Sequence, residues 1–158
     1  MFHKYSKLKF NQMEKEKFLR EFMQKVWNEK KFDCITNYVA PAYTIHIDSS
    51  DPWEGKTLNY VEFAMRLDYS FDSLPNINFE IQTAISDGDD VTASWIMTGT
   101  NDGKNGPFPP TNKKSRILGS TIYHFAGDKI CGHTQVFDRI DQYQQIVRHG
   151  SFQNPINT

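Results

Sequence analysis

The segment Lys129–Asp138, KICGHTQVFD, contains the best candidate for proton transfer in the chain, His133. The unperturbed pKa of histidine is about 6.5, so a modest shift moves it through neutral pH. His46, in the segment YTIH, has the same capacity. The alternative for each is a structural role in the core, with both ring nitrogens in hydrogen bonds to other protein groups. His133 and His46 are therefore candidate acid/base residues whose role depends on where the fold places them.

Other kinds of catalytic site lack their usual sequence patterns. The two histidines do not have the short spacing of zinc motifs, which argues against a metal. No Gly-x-Ser-x-Gly nucleophile motif is present, and the loop Gly103–Gly106 lacks the Lys-Ser/Thr pair of a phosphate-binding loop. Cys34 and Cys131 are far apart and lack metal-ligand spacing, so we interpret both as small buried hydrophobic residues. We therefore expect no metal and no other cofactor.

Helical patterns occupy the first part of the chain. The first predicted helix runs from about Gln12 to Asn28, after a capping box formed by Asn11 and Glu14. A second helix, from about Phe32 to Val39, ends before Pro41 because proline disfavours helix in the residue before it. The apolar stripe of the first helix consists of Phe18, Leu19, Phe22, Met23, Val26 and Trp27.

A short strand and a third helix follow. Tyr43–Ile47 has the β-branched character of a strand, and the turn-forming segment Asp51–Gly55 interrupts it. The third helix is predicted to begin with Thr57 as its N-cap. Its inward residues are predicted to be Leu58, Val61, Met65 and either Leu67 or Phe71.

After Pro75 the periodicity changes from helical to alternating, which predicts strands. A first strand has Ile77, Phe79, Ile81, Thr83 and Ile85 on one face. An Asp-Gly turn leads to the strand Val91–Thr100, and a loop rich in Gly, Pro and Asn leads to the strand Arg116–Phe125. KICGHTQVFD is the last strand, and the tail beyond Gln142 has no periodicity.

This order of elements predicts an α+β fold shaped like a cone, in which three N-terminal helices pack on one side of a strongly bent, mostly antiparallel sheet. Alternate strand residues then line a cavity between the helices and the concave face. On the last strand the inward face is predicted to be Cys131, His133, Gln135 and Phe137. The expected ligand contacts are Met23, Trp27, Tyr43, Trp53, Trp95, Met97, Asn101, Thr121, Tyr123 and Phe137. Such a cavity suits a hydrophobic, aromatic or polycyclic ligand that bears carbonyl or hydroxyl groups.

Length and charge narrow the function further. The chain has 158 residues, which predicts a single domain over residues 1–158, with its core at about 12–142 and with peripheral ends. The formal net charge is −1, so no overall field favours nucleic acid or an anionic membrane. No apolar run is long enough to span a bilayer, and the first residues lack the features of a signal peptide. A cytoplasmic protein is therefore expected.

Several segments together resemble the SnoaL-like polyketide cyclases and the related ester cyclases, within the superfamily of nuclear transport factor 2 and ketosteroid isomerase. These segments are VWNEKKFD (Val26–Asp33), YTIH (Tyr43–His46), GDDVTASWIMTGTNDG (Gly88–Gly103), PPT (Pro109–Thr111) and GSTIYHFAGDKICGHTQVFD (Gly119–Asp138). The resemblance implies a homodimer formed through the outer face of the sheet. It also implies ring closure of a polyketide ester by an acid/base carboxylate in the cone, without metal or nucleotide.

The resemblance places that carboxylate, an aspartate, at the position of Gln135, two residues after His133. Glutamine exchanges no proton at neutral pH. The first hypothesis is therefore a cyclase or isomerase in which His133, with His46, transfers protons and Gln135 orients the substrate or stabilises an oxyanion. The second is a dimer that binds a hydrophobic molecule without catalysis. A dehydratase or epoxide hydrolase is a third hypothesis, and it would require inward carboxylates.

Overall fold

A computed structural model describes residues 13–104, 106 and 108–147, which form one six-stranded sheet with helices packed against it. The strands are β1 (Val39–Asp48), β2 (Thr57–Leu58), β3 (Asn78–Asp87), β4 (Asp90–Thr100), β5 (Lys114–Ala126) and β6 (Lys129–Phe137). Their order in the sheet is β2-β1-β6-β5-β4-β3. Every pair is antiparallel except β1 and β6, which are parallel. The predicted α+β arrangement, with helices on a bent and mostly antiparallel sheet, is confirmed.

In the described part of the chain, four helices and one 3₁₀ turn accompany the sheet. Helix α1 is α-helical over residues 13–22 and continues as a π-helix over Met23–Asn28. A 3₁₀ turn, Phe32–Cys34, precedes the short helix α2 (Ile35–Tyr38). Helix α3 is Tyr60–Ser73 and helix α4 is Arg139–Ile146. None of the helices in this described part of the chain is both long and apolar enough to cross a membrane.

Helix α1 buries most of the stripe that the sequence predicts. Leu19 and Val26 are fully buried, and Trp27 is nearly so. The predicted cap Asn11 and the predicted start at Gln12 lie outside the described residues. The second helix is shorter than predicted, since Val39 already begins β1.

The N-terminus of α3 differs from the prediction. Asn59 is the N-cap, because its side chain accepts from the backbone N–H of Glu62, while the Glu62 carboxylate accepts from the backbone N–H of Asn59. Thr57 instead belongs to β2. The predicted inward positions Val61 and Met65 are wrong, since these side chains are 70% and 56% exposed. The inward residues of α3 are Phe63, Arg66, Leu67 and Phe71.

Irregularities in β3 and β6 change which residues of these two strands face the core. In β3 a register shift between Ile81 and Thr83 turns Ile85 outward, where it is 63% exposed, although the sequence places it on the same face as Phe79 and Ile81. In β6 a shift near Cys131 brings Ile130 into the core and leaves Cys131 only partly buried. The prediction that both cysteines are buried is therefore wrong. β4 and β5 are regular, and the residues that the sequence predicts as ligand contacts on them, Trp95 and Met97 on β4 and Thr121 and Tyr123 on β5, are all buried on the inward face.

Helix α4 was not predicted. Its N-cap is Asp138, whose carboxylate accepts from the backbone N–H of Asp141. The side chain of Gln145 accepts from the backbone N–H of Arg116 and donates to the carbonyl of the same residue. The β5–β6 pairing begins at Gly119, so the backbone N–H and carbonyl of Arg116 have no partner on β6. Gln145 provides their hydrogen-bond partners and fixes α4 against the sheet.

Candidate active site

A bulge near the end of β1 turns Asp48 into the cone. Ile45 pairs with His133 and Ile47 pairs with Thr134, so His46 is an extra residue on β1. Alternation is therefore reversed after His46, and Asp48 faces inward although strict alternation from Tyr43 would direct it outward. Asp48 is only 3% exposed, and its Cα lies opposite that of Gln135 in the ladder.

The Asp48 carboxylate collects hydrogen bonds from several elements. Its Oδ2 accepts from Arg66 Nη2 on α3 (3.1 Å) and from Gln135 Nε2 on β6 (3.1 Å). The same oxygen lies 3.3 Å from His133 Nε2, and Oδ1 accepts from Arg139 Nη2 on α4 (3.3 Å). Burial by itself raises the pKa of Asp48, but the hydrogen bond from His133 and the charge of Arg66 outweigh burial and lower the pKa below its ordinary value. Asp48 is therefore ionised at neutral pH.

This carboxylate fixes the tautomer of His133. An ionised Asp48 can only accept, so His133 Nε2 carries the hydrogen and donates it. His133 Nδ1 then accepts from the hydroxyl of Tyr43, 2.7 Å away. Burial lowers the pKa of His133 and raises that of Tyr43 well above its usual value. At neutral pH, therefore, the histidine is neutral with both nitrogens engaged, and the phenol keeps its proton.

A second chain of hydrogen bonds orients Gln135. The indole of Trp95 can only donate, and its Nε1 lies 2.8 Å from Thr121 Oγ1. The Thr121 hydroxyl must then direct its own hydrogen to Gln135 Oε1, 2.8 Å away. Gln135 consequently presents its Nε2 donor to Asp48. Each member has the partner that its chemistry requires, so the Gln135 amide has one preferred orientation.

Arg66 is held by carboxylates on both sides. It is 5% exposed, its Nε donates to Asp51 Oδ2 at 2.8 Å, and its Nη2 donates to Asp48. Burial by itself lowers the pKa of this guanidinium, but the charges of Asp51 and Asp48 raise it above the ordinary value. A buried charge with such partners avoids the cost of an unpaired one. Arg66 thus connects the helix layer to the polar wall of the sheet, which consists of the hydrogen-bonded residues Asp48, Thr121, His133 and Gln135.

Two cavities meet at this wall. The inner cavity has a volume of about 30 Å³, which fits at most a few water molecules because one water needs roughly 10–15 Å³. The outer cavity has a volume of about 140 Å³ and opens toward the end of the cone where β1 and β6 end. Trp27, Arg66, Phe79 and Gln135 line both. Asp48 and Arg139 line the outer cavity and also a surface depression of about 260 Å³ beside it.

Most residues that the sequence places in a cavity lie in or next to these two. Trp95 and Thr121 lie behind Gln135, inside the wall. Met97 and Phe137 line the outer cavity. The predicted residues that line the inner cavity are Met23, Trp27, Tyr43, Tyr123, His133 and Gln135.

Three further predicted site residues lie away from both cavities and from the hydrogen-bonded residues beside them. His46, displaced by the β1 bulge, is exposed on the outer face of the sheet with its ring centroid 5.0 Å from that of His124. Trp53 packs on Tyr69 beside the outer cavity, with ring centroids 5.5 Å apart. Asn101 is buried in the loop that follows β4, where its Nδ2 donates to the Pro109 carbonyl (2.9 Å). The structure therefore does not bring these three together with His133.

The sequence interpretation missed the charged residues of the site, Asp48, Arg66 and Arg139. The capping pattern Asn59-x-x-Glu62 could have found Arg66, because it sets the phase of α3 and places Arg66 one turn after the buried Phe63. Nothing in the local sequence marks the bulge that turns Asp48 inward. Among the described residues, no group of three or more His, Cys, Asp or Glu side chains is arranged to hold a metal ion.

Comparisons with known proteins agree with this architecture. A proposed polyketide cyclase from Acidithiobacillus ferrooxidans is 34% identical in sequence, and its structure superposes with a TM-score of 0.79 over 85% of this chain and 94% of that one. A proposed SnoaL-like polyketide cyclase from Jannaschia sp. CCS1 is 13% identical, with a TM-score of 0.75 over 88% of this chain and 94% of that one. AclR, a proposed hydroxylase from Streptomyces galilaeus, is 15% identical, with a TM-score of 0.71 over 92% of this chain and 88% of that one.

The two structures of lower identity show the fold alone, whereas the first has substantial sequence identity over most of the chain. None of the curated proteins matches this sequence significantly. The sequence profile of the SnoaL-like polyketide cyclases, however, matches residues 17–146. The chain therefore belongs to the SnoaL-like polyketide cyclase family.

Proposed function

We propose that this protein is an enzyme of the cyclase or isomerase type that works without a cofactor and uses Asp48 as its proton acceptor. One observation carries the proposal. Asp48 lies opposite Gln135 in the β1–β6 ladder and points into the cone, so a carboxylate stands beside the position where the resemblance expects the acid/base aspartate. The carboxylate has been supplied by the neighbouring strand.

The two oxygens of Asp48 have different surroundings. Oδ2 is surrounded by donors from Arg66, Gln135 and His133, whereas Oδ1 has Arg139 as its one donor among the described residues. Since Asp48 also lines the outer cavity, Oδ1 is the atom that supports contact with a substrate. A carboxylate with a lowered pKa is a weak base, which suits a carbon already acidified by two flanking carbonyls.

His133 receives a different role from the one the sequence suggests. Both of its nitrogens are engaged, and its pKa is lowered by burial. The geometry supports a positioning role, in which His133 holds Asp48 and links it to Tyr43. Gln135 holds the same carboxylate from the other side.

The outer cavity also bears on the substrate. Its volume of about 140 Å³ is smaller than the roughly 300–1,000 Å³ of sites that hold drug-sized ligands. The proposed substrate is therefore a small carbonyl compound, such as a β-keto ester, in place of the polycyclic ligand that the sequence suggests.

Replacing the carboxylate tests the proposal. We expect Asp48→Asn to lower the rate of enolisation or cyclisation of a β-keto ester at least about 10²-fold, because an amide accepts no proton at neutral pH. The rate would be measured by proton–deuterium exchange at the activated carbon. Asp90→Asn is the matched control, since Asp90 pairs with His124 outside the cavities. An Asp48→Asn variant that melts as one folded species and keeps the wild-type rate would contradict the proposal.

A second candidate function is binding without catalysis, and the hydrogen bonds that saturate Oδ2 favour it. The ligand of such a protein would bind the folded state, raise its free energy of unfolding and leave the site unchanged. A β-keto ester that raises the melting temperature, with no exchange and no product over a long incubation, would support binding against catalysis.

We also propose that a second copy of the chain packs on the outer face of the sheet. A row of cross-strand neighbours on that face runs from Ile85 on β3 through Ile122 on β5 to Ile47 on β1. These three side chains are 63%, 36% and 49% exposed, and Leu118 and Val136 nearby are 61% and 64% exposed. An exposed apolar area of this kind often marks an interface. The cytoplasmic location expected from the sequence stays a prediction.

A further inference from the structure

Arg139 is the charged residue of the site that has donors to spare. A guanidinium carries five N–H donors. Among the described residues, Arg139 makes a single side-chain hydrogen bond, a long one of 3.3 Å to Asp48 Oδ1. The side chain of Arg66, by contrast, is buried and pairs with both Asp48 and Asp51. Arg139 is therefore the cation that can change partner at little cost.

The position of Arg139 is that of an entrance residue. It lines both the outer cavity and the adjoining surface depression, and its side chain is 33% exposed. Its guanidinium lies 4.2 Å from the centre of the Phe137 ring, which supports it from one side. A molecule that enters the outer cavity from this depression passes the free edge of this guanidinium.

We propose that Arg139 binds the carboxylate of the substrate, so that the site selects small carboxylate-bearing carbonyl compounds over their neutral esters. The inference rests on the proposed function in one respect only, which is that the reacting carbon of the substrate lies at Asp48 Oδ1. The fork of a guanidinium matches the two oxygens of a carboxylate, which gives both affinity and orientation. A substrate anchored by one end at Arg139 extends into the outer cavity past Asp48.

Binding of the anion also changes Asp48. When the substrate carboxylate takes the Arg139 guanidinium, Asp48 Oδ1 loses its donor and gains a negative neighbour. Both changes make Asp48 more basic, so the correct substrate activates the base that acts on it. Among the described residues, the other titratable or charged groups that interact with Asp48 or Arg139 are Arg66, Asp51, His133, Tyr43, Tyr123 and Glu54.

Calorimetric titration of the full chain with acetoacetate and with its methyl ester tests the inference without requiring turnover. We expect the wild type to bind acetoacetate at least about tenfold more tightly than the ester, in line with the strength of hydrogen bonds between charged groups. Arg139→Gln should abolish this preference. Arg139→Lys should retain part of it, because the ammonium keeps the charge and loses the fork.

Arg20→Gln is the matched control, because it removes the same charge from a residue whose Nη1 donates to the Ile81 carbonyl, outside the cavities. It should keep the wild-type preference. Equal binding of acid and ester by the wild type, or a preference that survives in Arg139→Gln, would overturn the inference.

The titration also separates this inference from the proposed function. A carboxylate preference that depends on Arg139, in a protein that enolises neither compound, supports the anion site and contradicts the proposed catalysis. Turnover that is lost in Asp48→Asn, with no preference that depends on Arg139, supports the catalysis and overturns the anion site.

Discussion

At the scale of single residues, the site depends on the direction of hydrogen bonds more than on their number. Trp95 can only donate, and this constraint passes through Thr121 to Gln135 until a donor reaches Asp48. Gln135 is thus suited to a wall that already contains a carboxylate. A carboxylate at position 135 would lie within hydrogen-bonding distance of the Asp48 carboxylate, and the two negative charges would repel each other.

Gln135→Glu tests this explanation with an almost isosteric change. We expect the variant to lose about 1–3 kcal/mol of unfolding free energy at pH 7, because a donor is lost and a second negative charge is added. The Asp48 charge should raise the pKa of the new acid above its unfolded value of about 4.3. The folded state then binds more protons than the unfolded state, so the lost stability returns as the pH falls. Urea unfolding at pH 7 and pH 5 measures the difference.

Gln135→Met is the matched control. It removes both hydrogen bonds of the amide and adds no titratable group, so its loss of stability relative to the wild type should be similar at both pH values. If Gln135→Glu showed the same loss at pH 7 and pH 5, charge repulsion with Asp48 would be the wrong explanation.

At the scale of elements, caps and bulges decide which side chains reach the site. The capping box at Asn59 sets the rotation of α3, which brings Arg66 into the cone and leaves Val61 in solvent. The extra residue in β1 exchanges the faces of the strand after His46, which brings in Asp48. The ion pair of Arg66 and Asp48 therefore depends on two local backbone features outside the cavity, the cap of α3 and the bulge in β1.

The cap of α3 can be tested separately from the site. We expect Asn59→Ala to cost about 1 kcal/mol of unfolding free energy, since it leaves the backbone N–H of Glu62 without its partner. Thr57→Ala, at the position that the sequence suggests as the cap, should cost less than about 0.5 kcal/mol because its side chain is exposed. Denaturant midpoints of both variants would be compared with that of the wild type. Equal losses would mean that Asn59 does not anchor the helix.

At the scale of the whole molecule, the sheet has two faces with separate tasks. The concave face and the helices enclose the core and the polar wall, whereas the opposite face exposes Leu118, Ile122 and Val136. Burying an exposed apolar face against a second copy would remove this area from water. The proposed dimer thus uses the surface that the site leaves available.

Charge on the outer face should dissociate this dimer. We expect Leu118→Lys to lower the self-association affinity at least about tenfold, because a buried, unpaired ammonium costs more than the lost apolar contact. Sedimentation equilibrium over a range of concentrations gives the dissociation constant. Val61→Lys is the matched control, since Val61 is an apolar residue on α3 that is also largely exposed. A wild-type protein that stays monomeric at high concentration would contradict the proposed dimer.

The sequence by itself determined the α+β architecture, because periodicity reports which face of a regular element is apolar. It was correct for the inward faces of β4 and β5, where pairing is regular, and for the stripe of α1. It also placed His133 and Gln135 on one inward face. The family resemblance likewise follows from residues that remain recognisable in the linear sequence.

Only the tertiary structure decided where the charge of the site lies. Asp48 reaches the cone through a bulge that is defined by pairing with β6, a strand far away in sequence, so no local pattern contains it. Arg139 comes from a helix whose contact with β5 depends on Gln145. Periodicity describes a strand or helix alone, whereas register and bulges depend on the partner strand. This is the physical reason that the sequence indicated a histidine site and the structure reveals a buried carboxylate with an arginine at its entrance.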